Sequence, residues 1–209
     1  MTSQFLDETT FERVSENSWT GNLNKNWNIA GIPNGGYLLA VVLRAMQEQV
    51  GIKTLLSVNA HYLRPGVSGE EGRVESLILR EGSSISTSIA SLIQRGKTSM
   101  QVVAAFGELK EPANAFPRIQ IEPPFMPPPE ECAKRSAENQ GVELSIQKRV
   151  DVRVAGMESD SDTSDLYGWI KFSDSAPVDS LGLALFSAAF PPSIFSKLAR
   201  VGWVPTVET

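Results

Sequence analysis

Ile32-Pro33-Asn34-Gly35-Gly36-Tyr37-Leu38-Leu39-Ala40-Val41-Val42-Leu43-Arg44-Ala45-Met46 is the stretch on which the fold turns. Asn34 is a good helix cap, because its side-chain oxygen can accept a backbone N–H that the first turn leaves unpaired. From Tyr37 to Leu43 the residues are apolar on every face, the pattern of a helix surrounded by protein rather than one lying on a surface. Gln47, Glu48 and Gln49 restore polarity and Gly51 offers a stop, so a buried helix is expected from about Pro33 to Val50.

Strand signals follow. Leu55–Arg64 ends at the turn dipeptide Pro65-Gly66, and Arg73–Arg80 closes at Glu81-Gly82. Over Ser83–Ile93 the alternation is strict. Ile85, Thr87, Ile89, Ser91 and Ile93 fall on one face, and Ser84, Ser86, Ser88, Ala90 and Leu92 on the other. Arg95-Gly96-Lys97 reads as a hairpin turn into Met100–Leu109. Four strands joined by short turns predict an antiparallel sheet, with Phe11–Trp19 as a fifth strand.

Seven prolines between Pro112 and Pro129 preclude continuous sheet or helix and mark a boundary. Beyond it Val142–Val154 and Leu166–Phe172 read as strands around a solvated loop, Glu158–Asp165. A second helix is apolar all round from Leu183 to Phe190, and a last strand starts at about Val204. Strand, buried helix, strands, then the same opening again is the periodicity of a duplicated module. A sheet curled around an apolar helix buries it, and two sheets joined edge to edge leave fewer open edges. The expected units are residues 1–111, a proline-rich connection over 112–135, and residues 136–209.

Composition narrows the function. With 41% apolar and 21% charged residues the chain has the balance of a globular protein, and a net charge of −5 argues against a general nucleic-acid binder. One cysteine, Cys132, and one histidine, His61, exclude a disulfide framework, a thiolate metal cluster and a multi-histidine metal site. The opening MTSQFLDETTFERV is acidic where a secretory signal is basic, and Tyr37–Leu43 and Leu183–Phe190 are too short to span a bilayer. The expectation is a cytoplasmic protein without membrane insertion.

The order and spacing of several segments resemble the double-hotdog acyl-CoA thioesterases, the type II or TesB-like group of the thioesterase-like superfamily. They are Pro33-Asn34-Gly35-Gly36-Tyr37, Ala60-His61-Tyr62-Leu63-Arg64-Pro65-Gly66, Arg80-Glu81-Gly82-Ser83-Ser84 with Gln94-Arg95-Gly96-Lys97, and Phe190-Pro191-Pro192 with Trp203-Val204-Pro205-Thr206. The resemblance implies an α+β double hotdog, antiparallel sheets each wrapped around a buried central helix. It also implies hydrolysis of an acyl-CoA thioester by directly attacking water, no metal or redox cofactor, and a homo-oligomer. In the family an aspartate on the second central helix, a threonine on the following strand and a glutamine on a late strand hold the water. By position the threonine falls on Thr206, and the aspartate position falls on Ala188, which cannot orient or deprotonate anything. No residue before Thr209 matches the glutamine.

Roughly 60 residues of strand follow the first helix and only about nine follow the second. Leaving six large apolar side chains uncovered forfeits on the order of 10 kcal/mol. The second hotdog therefore reads as incomplete at its C-terminal end, the sequence as a fragment of a longer chain, or its cover as another subunit.

Each candidate has two readings. Asn34, Gly35 and Gly36, with Tyr37, open a helix whose free N–H groups and dipole can polarise a thioester carbonyl; equally, they cap and pack a helix. His61 can be a general base for hydratase chemistry or a structural strand histidine, the reading favoured by the lack of an acid near it in sequence. Arg64, Arg80, Arg95 and Lys97 can meet CoA phosphates or be solvated strand ends. Asp179 reads as a helix-start residue and Cys132 as unreactive beside Glu130 and Glu131. Thioester hydrolysis leads; a silent acyl-CoA-binding or assembly module, favoured by Ala188, is the alternative.

Overall fold

The computed structural model describes residues 3–51, 53–109, 121–122, 124–155, 165–196 and 206–209. Helix α1 (Gln4–Thr9) leads into a hairpin of β1 (Glu12–Ser15) and β2 (Ser18–Asn22). The single strand expected over Phe11–Trp19 is thus split in two, because Glu16-Asn17 turns the chain. A second small hairpin, β3 (Asn28–Ile29) and β4 (Ile32–Pro33), bends through Ala30 and Gly31 at φ 51° and 79°. It delivers the chain to α2 (Gly35–Gln49), the helix expected from the sequence.

Four long strands follow: β5 (Thr54–Tyr62), β6 (Glu71–Arg80), β7 (Ile85–Gln94) and β8 (Lys97–Gly107). All neighbours are antiparallel, in the order β1-β2-β6-β7-β8-β5. The β7–β8 turn takes Arg95 and Gly96 at φ 50° and 68°, a left-handed pair that matches the twist of the flanking strands.

The sheet curls around α2, whose residues from Gly36 to Leu43, with Ala45 and Met46, are all buried. The face of β7 turned to the helix is the serine face: Ser86, Ser88, Ala90 and Leu92 are buried beside Phe106, Ala104, Val102 and Met100 of β8. The isoleucine row points outward. Small inner side chains let a helix studded with Leu, Val and Met sit close to the sheet, and close packing outweighs the hydrophobicity of the other face.

The second half contains β9 (Ala133–Lys134), α3 (Ala137–Gln140), β10 (Val150–Ala155), β11 (Tyr167–Phe172) and α4 (Ser180–Phe186). Its antiparallel sheet runs β11-β10-β9. β9 lies inside the stretch expected as a connection, and residues Ser145–Lys148 form a helical turn before β10 rather than continuing a strand from Val142. Asp179 caps α4 as expected, accepting from the Gly182 N–H at 2.7 Å. α4 is shorter than the apolar run, and Leu183 is 63% exposed while Leu181 and Leu185 are fully buried, so α4 packs against α2, Phe172 of β11 and the start of β5 and leaves the Leu183 face open. Residues 158–164 of the expected loop and 204–205 of the expected last strand lie outside the described residues.

The two central helices run antiparallel. Gly36, early in α2, faces the Leu185 carbonyl, and Arg44, later in α2, feels the charge of Asp179 at the start of α4. Residues 206–209 extend the large sheet beyond β5: Ala60 and Thr209 exchange backbone bonds of 2.8 and 3.1 Å, and Tyr62 donates to the Val207 carbonyl at 2.9 Å. One core spans both halves, with Phe5 stacked on Phe172 at 4.8 Å and Phe186 tilted against Phe172 at 4.8 Å. Arg149 forms a two-pronged ion pair with Glu8 at 2.7 and 2.6 Å. Among the described residues, no helix is long and apolar enough to cross a membrane.

Two outcomes test this packing. An alanine at position 36 would put its Cβ 2.3 Å from the Leu185 carbonyl oxygen. Gly36→Ala is therefore expected to destabilise by about 2 kcal/mol despite alanine's better helix propensity, lowering the thermal midpoint by roughly 5 °C. Burial pushes the Glu8 carboxyl up, but the bonds from Arg149, Trp27 and Asn26 outweigh it and hold it below the usual range. A depressed carboxyl stabilises above its unfolded pKa and loses that contribution as pH falls through the folded value. Glu8→Gln is expected to cost about 2 kcal/mol at pH 7, and urea titrations should show the difference from wild type shrinking below the ordinary carboxylate range.

Candidate functional site

The site is built where α2 begins and α4 ends. Asn34 is 6% exposed and bridges the two. Its Oδ1 accepts from the Tyr37 N–H at 3.2 Å, and its Nδ2 donates to the Ala188 carbonyl at 2.8 Å. The cap serves Tyr37, and the donors of Gly35 and Gly36 are first-turn groups that an α-helix leaves without partners of its own. They carry the positive end of a 15-residue helix.

Each candidate named from the sequence has a definite place. Gly35 is half-buried; its carbonyl accepts from the Tyr62 hydroxyl at 3.2 Å, and a Cβ there would lie 3.0 Å from the Tyr62 ring. Gly36 is closed off by the Leu185 backbone. Tyr37 is fully buried, stacked on Trp27 at 5.4 Å, with its hydroxyl accepting from Asn24 N–H at 2.8 Å and donating to the Glu8 carbonyl at 3.0 Å. Burial pushes its phenol up to about 12. Gly36 and Tyr37, with buried Asn34, thus hold the helix start in place, while Gly35 is its half-buried side.

His61 lies elsewhere. Strand alternation sends Ala60 and Tyr62 toward α2 and His61 to the outer face, exposed, between Gln101 of β8 and Glu208. The acid missing near it in sequence is this cross-strand neighbour, although the Glu208 carboxylate accepts from Asn59 Nδ2 at 2.8 Å. Thr206 is exposed and directly precedes Val207, whose carbonyl binds the N–H of Tyr62. The fold therefore brings Asn34, Gly35, Tyr62 and the backbone of Val207 to one region, and leaves His61 and Glu208 on the other face of the sheet.

Ala188 sits in the turn after α4. Its neighbour Ala189 reveals a residue that sequence reading passed over. Arg135 is 8% exposed; its Nη1 donates to the Ala189 carbonyl and its Nε to Gln140 Oε1 at 2.9 Å. Burial lowers its guanidinium to about 10, so it stays charged at neutral pH. In Ala133-Lys134-Arg135-Ser136 nothing distinguishes it from a solvated base. The basic residues considered for CoA phosphates are exposed strand ends: Arg64 donates to the Thr98 carbonyl at 2.6 Å and Arg95 pairs with Glu70.

Two central helices, antiparallel and in contact, one wrapped by the large sheet and the other packed beside the small one, define a double hotdog. Within that class, residues 23–107 match the family profile described as Acyl-CoA thioesterase N-terminal domain. The whole chain is similar to a candidate thioesterase II from Thermobifida fusca YX, at 28% identity and TM-score 0.85, over 99% of this chain and 78% of that one. A hot dog fold protein of unknown function from Alicyclobacillus acidocaldarius gives 21% identity and TM-score 0.85, over 100% and 77%. The tesB protein of Mycobacterium avium subspecies paratuberculosis gives 20% and 0.73, over 98% and 76%. No curated protein matches the chain. Residues 23–107 are thus similar to the acyl-CoA thioesterase N-terminal domain, and the chain as a whole resembles the thioesterase II group.

Asn34 is the joint of the site, and its two bonds can be separated. Asn34→Ala loses both and is expected to cost about 1–2 kcal/mol in chemical denaturation. Asn34→Asp keeps the cap acceptor but not the donor to Ala188 and should recover about half of that loss.

Proposed function

We propose that the protein is an acyl-CoA thioesterase-like enzyme that receives its substrate at the N-terminus of α2. The observation that carries the reading is the half-buried Gly35 at the Asn34-capped helix start, backed by the turn that bears residue 188. A thioester carbonyl laid against the first-turn N–H groups is polarised by fixed donors that need no reorganisation during the reaction. Gly35 lets it approach the backbone closely. The Thr206 hydroxyl positions the attacking water, and no metal or redox cofactor takes part. A cytoplasmic homo-oligomer fits the same reading.

Ala188 favours a second reading, in which the fold binds acyl-CoA without hydrolysing it. At the position where the resemblance implies an aspartate there is a methyl group, so general-base assistance worth about 10²–10⁴ in rate has no source at that position. Thiol release from acetyl-, hexanoyl- and palmitoyl-CoA, read with wild type and Ala188→Asp, separates the two. The proposal expects slow but measurable wild-type turnover, and a gain of about a hundredfold in kcat for Ala188→Asp. Saturable acyl-CoA binding with no thiol release from wild type would reduce the protein to a binding module; no binding at all would remove both readings.

A further inference from the structure

Among the described residues, Arg135 is a buried cation without a counter-ion. It stands between β9 and α3, and none of the ion pairs among the described residues involves it. A carbonyl and an amide oxygen occupy its Nη1 and Nε, which uses two of the five donors a guanidinium carries. Removing an unpaired charge from water is among the costlier things a fold can do, and neutral dipoles offset only part of it. The carbonyl Arg135 grips belongs to Ala189; the carbonyl Asn34 grips belongs to Ala188, one residue earlier. A guanidinium and the capped, positive end of α2 thus close on consecutive residues of one turn, where the half-buried side chain, Ala188, is a methyl group.

We infer that this corner receives a carboxylate from the ligand, held by the spare donors of Arg135 beside the N-terminus of α2. The inference rests on the reading of that helix start as the thioester's place. The planar guanidinium fork suits a planar carboxylate. The phosphates of CoA lie at the other end of the pantetheine arm from the thioester, so the acyl portion must supply the anion. Two sources share the chemistry: a second carboxylate close to the thioester in a short dicarboxylyl group, or the carboxylate of the released acid.

Calorimetric titration of the intact chain with succinyl-CoA, butyryl-CoA, free succinate and free butyrate tests this, on wild type, Arg135→Gln and Arg135→Lys, with thermal unfolding checked for each. A dicarboxylyl substrate predicts that succinyl-CoA binds about tenfold tighter than butyryl-CoA. That ratio should fall to about one in Arg135→Gln and be partly kept in Arg135→Lys. Recognition of the released acid predicts instead that butyrate binds, competes with butyryl-CoA and loses affinity about tenfold in Arg135→Gln. If both CoA esters bind equally and neither free acid depends on Arg135, the inference is overturned while the thioester site stands. If no CoA ester binds, the thioester reading fails, and the free acids alone decide the role of Arg135: an Arg135-dependent affinity supports it, and none overturns it.

Discussion

The closeness of α2 and α4 is the constraint from which the rest follows. At Gly36 the backbone of one helix meets the carbonyl of Leu185 on the other, with no room for a methyl group between them. That contact fixes the helices antiparallel and sets the start of α2 beside the end of α4. Asn34 can then bond across to Ala188, and the positive end of a long helix comes to face the carbonyls of a short one. Each half also needs the other to bury its apolar face, which is why α1, from the first half, stacks Phe5 on Phe172 of the second and pairs Glu8 with Arg149.

The corner sets donors against acceptors: the Arg135 guanidinium, the Asn34 amide and the start of α2 meet the carbonyls of Ala188 and Ala189. Helix dipole, guanidinium and amide donors converge near residues 188 and 189, and Ala188 contributes no charge. Such a corner favours whatever develops or carries negative charge, an oxyanion in hydrolysis or a carboxylate on a ligand. The exposed basic residues on strand ends lie apart from it and either pair locally or meet solvent.

The first half was legible because its signals were local. Asn34 caps the helix it was expected to cap, and Arg95-Gly96 turns where the alternation breaks. What escaped depended on the third dimension. Strict alternation in β7 shows that one face is buried without showing which, and the serines rather than the isoleucines face α2 because a bulky helix needs small partners. The same parity sends His61 away from the helix and Tyr62 toward it. α4 stops early because Ser187 and the Pro191-Pro192 pair interrupt an apolar run whose composition alone suggested a longer helix. Nothing in the sequence neighbours of Arg135 foretells the turn that closes over it.

A crystal structure with a non-hydrolysable ketone analogue of acyl-CoA, carbonyl retained and sulfur replaced by methylene, tests the central claim most directly. The account predicts the ketone oxygen within hydrogen-bonding distance of the Gly35 or Gly36 N–H, with the acyl chain passing residue 188. An analogue seated instead on the outer face of the sheet beside His61, with the start of α2 left empty, would contradict it.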